Sequence, residues 1–458
     1  MFVNDVHSAL TATLVSQILT PSSVDDLRAA LKLARSEERA ICIAGARHSM
    51  GQQGFGTDAI LLDTRKMNRV LGFDTGRGMI EVEAGMHWPQ LLNELTVGQR
   101  GDGEPWAFAQ KQVGADKMTI GGSLSANIHG RGLAMPPFVN DIEAFRLLNA
   151  RGEVLRCSRD ENTELFALAI GGYGLFGVVT SVTLRLVPRR KVQRLVEVRG
   201  AAGIARAFAE RIEDGFLYGE FELSVDEKSE DFLERGIFST YRPVADDMPL
   251  PGLQRDLAEA DWRELLFLCH TNKAEAFRRY ARYCLSTNER VYYSDEQQMS
   301  TYPDNYHREV DRRMGARGTD VLTEICCERS ALEAFLADLR TFARAAELNI
   351  VRASVRLIEQ DKETFLPWAR RPYACVSLDV HVERGTRGLI RAGDSFRRLV
   401  DLGFRYGGSY YLAFHRHALK RQLLAGYPQF PQFLRYKKKY DPGELFQSDW
   451  YRHYRDMF

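Results

Sequence analysis

The sequence lacks most of the signals that would assign it quickly. Its 458 residues include seven cysteines, an odd number, scattered except for Cys326 beside Cys327. No CxxC pair and no Cys/His run at metal-ligand spacing occurs, so neither a disulfide scaffold nor a metal site is expected, and a reduced cytoplasmic setting is the simplest reading. No charge of either sign dominates. Lys plus Arg number 62 and Asp plus Glu 61, for a net charge of +1, which excludes a broad electrostatic surface for nucleic acid. The opening "MFVNDVHSALTATLVSQILT" has no basic stretch followed by an apolar one, so no secretion signal is expected. No run of about 18 apolar residues predicts a membrane-spanning helix, although a peripheral membrane contact stays open. Repeats and low-complexity linkers are absent. So are the two commonest nucleotide fingerprints, GxGxxG after a strand and GxxxxGK[ST].

What is present is an ordinary globular composition, 45% hydrophobic and 27% charged, long enough for two or three domains. "TPSSVDDLRAALKLARSEE" predicts a helix. Ser22 or Ser23 can cap it, Asp25 and Asp26 suit its positive end, and Leu27, Leu31 and Ala34 form its apolar stripe. "AICIAG", "ILLD" and "MIEVEAG" read as strands, with a helix after Met86. "IEAFRLLNA" and "EVLRCS" form a hairpin turning at Arg151-Gly152. The alternation Val178, Thr180, Val182, Leu184, Leu186 marks a further strand, and Pro188 with "RRK" a boundary near 189. From 190 to about 425, strands such as "NIVRASVRLIE" and "YACVSLDVHVE" alternate with amphipathic helices, "GDSFRRLVDLG" ending at Gly403, without glycine clusters. This predicts an α+β architecture, a sheet covered by helices.

Three glycine clusters lie in the first half, at 45–56, 121–132 and 171–177. Glycine permits positive φ and close backbone approach, and successive N–H groups in such turns make a nest for phosphate. Each cluster alone could be ordinary turn glycine; three in order point to a ligand. His48 in the first and His129 in the second stand without a second ligand at metal spacing. Catalytic base, packed side chain and covalent cofactor anchor all remain open for His48.

The segments "ICIAGARHSMGQQ", "LLDTRKMNRVLGFD", "IEVEAGMHWPQLLNEL", "TIGGSLSANIHGRG" and "GGYGLFGVVTSVTLRL" together resemble the FAD-binding (PCMH-type) domain of the vanillyl-alcohol-oxidase superfamily over roughly 20–190. "SVRLIEQDKETFL", "GGSYYLAFHRHA" and "KKKYDPGELFQSDW" resemble its sugar-oxidising branch of alditol oxidases, aldonolactone oxidases and decaprenylphosphoryl-ribose 2′-oxidases. The resemblance implies a two-subdomain FAD-binding domain at 1–189, a substrate (cap) domain with an antiparallel sheet at 190–425, and a segment 426–458 returning to the first. It implies an enzyme that oxidises an alcohol group of a sugar, polyol or aldonolactone by hydride transfer to flavin N5, with oxygen or a quinone or carrier as electron acceptor. Two alternatives are an oxidase of a lipid-linked sugar and a flavin-binding redox protein without alcohol chemistry.

For the cofactor, FAD, the resemblance implies Ala44, Gly45, Ala46, Arg47, His48 and Ser49 at the pyrophosphate, with His48 bonded covalently to the flavin as in alditol-oxidase-like members. It places Gly121, Gly122, Ser123, Asn127, His129 and Gly130 along the flavin, and Gly172, Gly174, Gly177 and Val178 near the adenine half or the ring edge. Arg356 and Lys439 match residues that meet flavin and substrate. The sequence departs from the polyol oxidases at Ser354, where they carry glutamate, and at Phe414, where they carry lysine. Ser377, Asp379 and His381 alternate on one strand face, and His381 or His415 is expected to take the substrate proton. Tyr410, Tyr411 and Trp450 are expected to wall the pocket.

Overall fold

Ser23 opens the first helix as the sequence predicts: its side chain accepts from the Asp26 amide, and helix Val24–Ser36 buries Leu27, Ala30, Leu31 and Ala34. In this computed structural model, which describes residues 1–99, 105–250, 257–300, 303 and 306–458, that helix covers a small parallel sheet. Its strands run in the order Gln17–Leu19, Ile60–Asp63, Ile41–Ala44. Next to it stands a five-stranded antiparallel sheet, ordered Val154–Ser158, Ile142–Leu148, Val178–Arg185, Met79–Glu83, Val70–Asp74. Strand Val70–Asp74, not among the strands expected from sequence, pairs with Met79–Glu83, and its residues are exposed or half-buried.

The second half is built on a seven-stranded sheet, antiparallel throughout: Val291–Tyr293, Lys191–Gly200, Arg235–Pro243, Tyr218–Leu223, Ile350–Ile358, Tyr373–Glu383, Gly318–Glu328. Helices Leu332–Ala345 and Thr386–Arg405 pack on this sheet through apolar stripes. The latter begins earlier than "GDSFRRLVDLG" suggests and runs past Gly403, where a side chain would collide with Ile325 and the Cys326 carbonyl. Here glycine serves close helix-sheet packing, not termination. The fold is thus α+β: an N-terminal part built on a small parallel sheet and a five-stranded antiparallel one, and an antiparallel-sheet cap covered by helices. The stretch after 440 returns to the small parallel sheet, where Ile41 donates to the Leu445 carbonyl and Gln447 to that of Ile41. Among the described residues, no helix is long and apolar enough to cross a membrane.

Candidate active site

Two cavities meet between the sheets. The smaller, about 90 Å³, is walled by Ala44, Gly45, Ala46, Arg47, His48 and Ser49, by Gly121 and Gly122, and by Gly174 and Gly177. Its shape follows from backbone that only small residues permit. A side chain at Gly45 would strike Thr119, whose hydroxyl caps helix Ile120–Ala126 by accepting from Gly122 N. Gly174 and Gly177 take φ of +74° and +149°, a region that glycine alone enters freely. A buried nitrogen of each of two side chains in the wall, His48 Nε2 and Arg47 Nε, has no hydrogen-bond partner.

The larger cavity, about 210 Å³, shares His48, Ser49, Met118 and Ala126 with the first. Its floor is one face of the cap sheet, and strand register explains the composition. Glu222 stands opposite Ser354, which stands opposite Ser377; Arg352 stands opposite Asp379; all five line the cavity. Arg356, also in the wall, donates from Nε to Glu220 Oε2 at 3.1 Å, while Arg131 Nη1 reaches Oε1 at 2.7 Å. Burial alone would raise the Glu220 pKa; the two guanidiniums outweigh it and bring it down to about 2. Asp379 has no such support. Burial pushes it up to about 6, with Arg352 Nε at 3.8 Å only partly opposing. Burial, and next the charge of His7, holds His48 well below the ordinary histidine range. His7 Nε2 lies 2.8 Å from His48 Nδ1. Helices Glu259–Thr271 and Lys273–Ser286 supply an opposite wall that is largely apolar: Trp262, Leu265, Leu266, Phe277, with Lys273 at its margin.

Several expected site residues lie elsewhere. Lys439 is exposed and paired with Glu164; the buried lysine is Lys437, bonded to Asp441 and to the Leu175 carbonyl. On helix Phe430–Tyr440, Lys437 follows Phe430, Phe433 and Leu434 on the buried face, whereas Lys439 falls on the outer one. His415 sits in a separate cleft with His417, Arg416, Asp449 and His453, pushed down to about 3 by burial. His381 is turned to Asp320, its Nδ1 2.8 Å from Oδ1, rather than into the cavity wall. Ser123 accepts from Trp88 Nε1, and Asn127 ties Asp361 to Val139 N. Buried His129 bonds Glu324 at 2.9 Å. Gly130 packs on Lys111 and Gly172 on Leu168, and Val178 belongs to the core under helix Val24–Ser36. These six shape the site from behind. Tyr411 reaches the cavity, while Tyr410 and Trp450 are core.

Residues 15–158 match the family model described as FAD binding domain. The chain therefore carries an FAD binding domain over its first third. It is 32% identical to bovine L-gulonolactone oxidase over 174 residues, 38% of either chain. It is 25% identical over 442 residues to L-gulono-1,4-lactone dehydrogenase of Mycobacterium tuberculosis, 95% of each chain. It is 23% identical over 460 residues to decaprenylphosphoryl-beta-D-ribose oxidase of Mycolicibacterium smegmatis, covering 96% of this chain and 94% of that one. The first of these matches thus spans about two fifths of its relative's length, whereas the two mycobacterial ones run through the cap. The glycine walls and the unpartnered His48 and Arg47 nitrogens fit FAD: small residues admit the dinucleotide, and two buried donors or acceptors await it.

Proposed function

We propose that this chain is an FAD-dependent oxidoreductase that oxidises an alcohol group of a sugar, polyol or aldonolactone. The supporting observation is the junction at His48, Ser49, Met118 and Ala126, where a glycine-walled cavity opens onto one floored by Glu222, Arg352, Ser354, Arg356, Ser377 and Asp379. FAD, when bound, supplies the hydride acceptor at N5. Asp379 takes the hydroxyl proton: with a pKa of about 6 it is ionised at neutral pH yet basic enough to act. Glu222, Ser354 and Ser377 offer hydrogen bonds to further hydroxyls, and Arg356 and Lys273 place positive charge at the wall. His48, kept neutral by burial, carries a lone pair on Nε2 when Nδ1 donates to His7, and Nε2 would then be the atom available to bond the flavin.

A second reading has a specific basis. Trp262, Leu265, Leu266 and Phe277 form an apolar wall that free polyols would leave unused. That wall favours a sugar bearing a lipid chain, the kind of substrate named for the Mycolicibacterium smegmatis relative. Anaerobic bleaching of the bound flavin tests both readings. Bleaching by aldonolactones or polyols supports the first. Bleaching only by a lipid-phosphate sugar in detergent supports the second. No bleaching by any of them, with the flavin fully loaded, overturns both and leaves a flavin-binding redox protein. Admitting oxygen, then a quinone, identifies the electron acceptor.

A further inference from the structure

Beside the larger cavity, three side chains from distant parts of the sequence converge. His270 ends helix Glu259–Thr271, Asp320 lies in edge strand Gly318–Glu328, and His381 faces Asp320 across the pair with strand Tyr373–Glu383. One nitrogen from each histidine and one oxygen of Asp320 all lie within 4.8 Å of one another. His381 Nδ1 is 2.8 Å from Oδ1, and His270 Nε2 is 3.2 Å from Oδ2. Tyr306 donates its hydroxyl to Oδ2 from behind.

The His270 imidazole is the decisive member. Its side chain is 1% exposed, its Nδ1 has no partner, and its Nε2 meets only the Asp320 carboxylate, at 3.2 Å and outside good hydrogen-bond geometry. A buried ring nitrogen left this way lacks the compensation that burying a polar group requires. Its Nε2 nevertheless points into the cluster, against a carboxylate that already serves Tyr306 and His381. A cation between the three would satisfy Nε2 directly.

We propose that His270, Asp320 and His381 bind one divalent transition metal, zinc in the first instance. Two imidazole nitrogens and one carboxylate oxygen suit zinc and disfavour magnesium and calcium, which take oxygen ligands. Ligands about 2.1 Å from such an ion lie roughly 3.4 Å apart in a tetrahedron, so the three ligand atoms, now within 4.8 Å of one another, would draw together around it. Tyr306 orients the carboxylate as an outer partner. The metal would strap helix Glu259–Thr271 to the sheet edge. Since Trp262, Leu265, Leu266 and Cys269 of that helix line the cavity, the strap fixes one wall of the pocket. The proposal is independent of which alcohol, if any, is oxidised.

The test uses the full flavin-loaded chain. Chelator-treated, dialysed protein is equilibrated with Zn(II), and bound metal is measured by elemental analysis. One equivalent is expected, with a raised thermal midpoint, and both effects should be lost in His270→Ala and His381→Gln. No uptake by folded wild-type protein overturns the proposal and leaves a hydrogen-bonded His–Asp–His cluster. Uptake that survives both substitutions assigns the metal to other side chains and likewise overturns it. Should the variants fail to fold, zinc-edge X-ray absorption on the wild type decides: two imidazole ligands support the site, and an oxygen-only shell rejects it.

Discussion

Nδ1 of His48 stands 2.8 Å from Nε2 of His7, so an imidazole in the glycine loop is oriented by another brought from 41 residues earlier in the chain. The contact fixes which His48 nitrogen faces the cofactor cavity. Acid precipitation should therefore carry flavin into the pellet of wild-type protein, and His48→Ala should release it to the supernatant. His7→Ala should lower the fraction of chains that retain flavin on a denaturing gel, since it removes the orienting partner and not the bonding atom. Flavin freely extracted from wild type would refute the covalent bond and leave FAD binding intact.

Asp379 sets a pH expectation. A base must be ionised to work, and burial places this carboxylate at about 6. The rate of flavin reduction should rise with pH through that value and level off above it. Asp379→Asn should cost about 10²–10⁴-fold in that rate and abolish the inflection, with flavin content unchanged. An inflection that persists in the variant would assign the proton to another group.

Glu220 sits between Arg131 and Arg356, all three buried. Glu220→Gln leaves two guanidiniums facing a neutral amide, and a broken buried pair costs about 3–5 kcal/mol. Denaturant titration should show this loss. The wild-type pKa is depressed to about 2, so the stabilisation is full above the ordinary glutamate range and fades as pH falls toward that value. The variant should lack this acid sensitivity.

The two lysines of helix Phe430–Tyr440 should separate cleanly. Lys437→Ala strands Asp441 in the core, where loss of one buried partner costs about 3–5 kcal/mol. Lys439→Ala removes only a surface pair with Glu164, and flavin reduction by substrate should be unaltered. A large drop in that rate in Lys439→Ala would contradict the placement of this side chain outside the cavity.

These contrasts mark where sequence reasoning ends. Gly45, Gly121 and Gly174, which line the smaller cavity, could be picked out because closely packed backbone leaves a local trace in glycine. The shared face of Ser377 and Asp379 was legible from strand alternation. Lys437 could have been found too: its spacing from Phe430, Phe433 and Leu434 puts it on the buried side of the helix, whereas motif matching favoured Lys439. The pairings His7 with His48, Arg352 with Asp379 and Asp320 with His381 join separate segments, and only strand register and tertiary packing bring them together. His129 misled for a related reason. It lies in a glycine-rich stretch, but Glu324 from the cap sheet claims its ring.

The glycine loop leans on residues synthesised long after it. Gln53 donates to the Leu412 and Phe414 carbonyls, Thr57 to Asp449, and Ile41 to Leu445. A nascent chain that has emerged only as far as the cap therefore owns every small residue of the cradle and none of these props. Cofactor capture should follow release from the ribosome, and a chain stopped at 411 should leave the ribosome colourless.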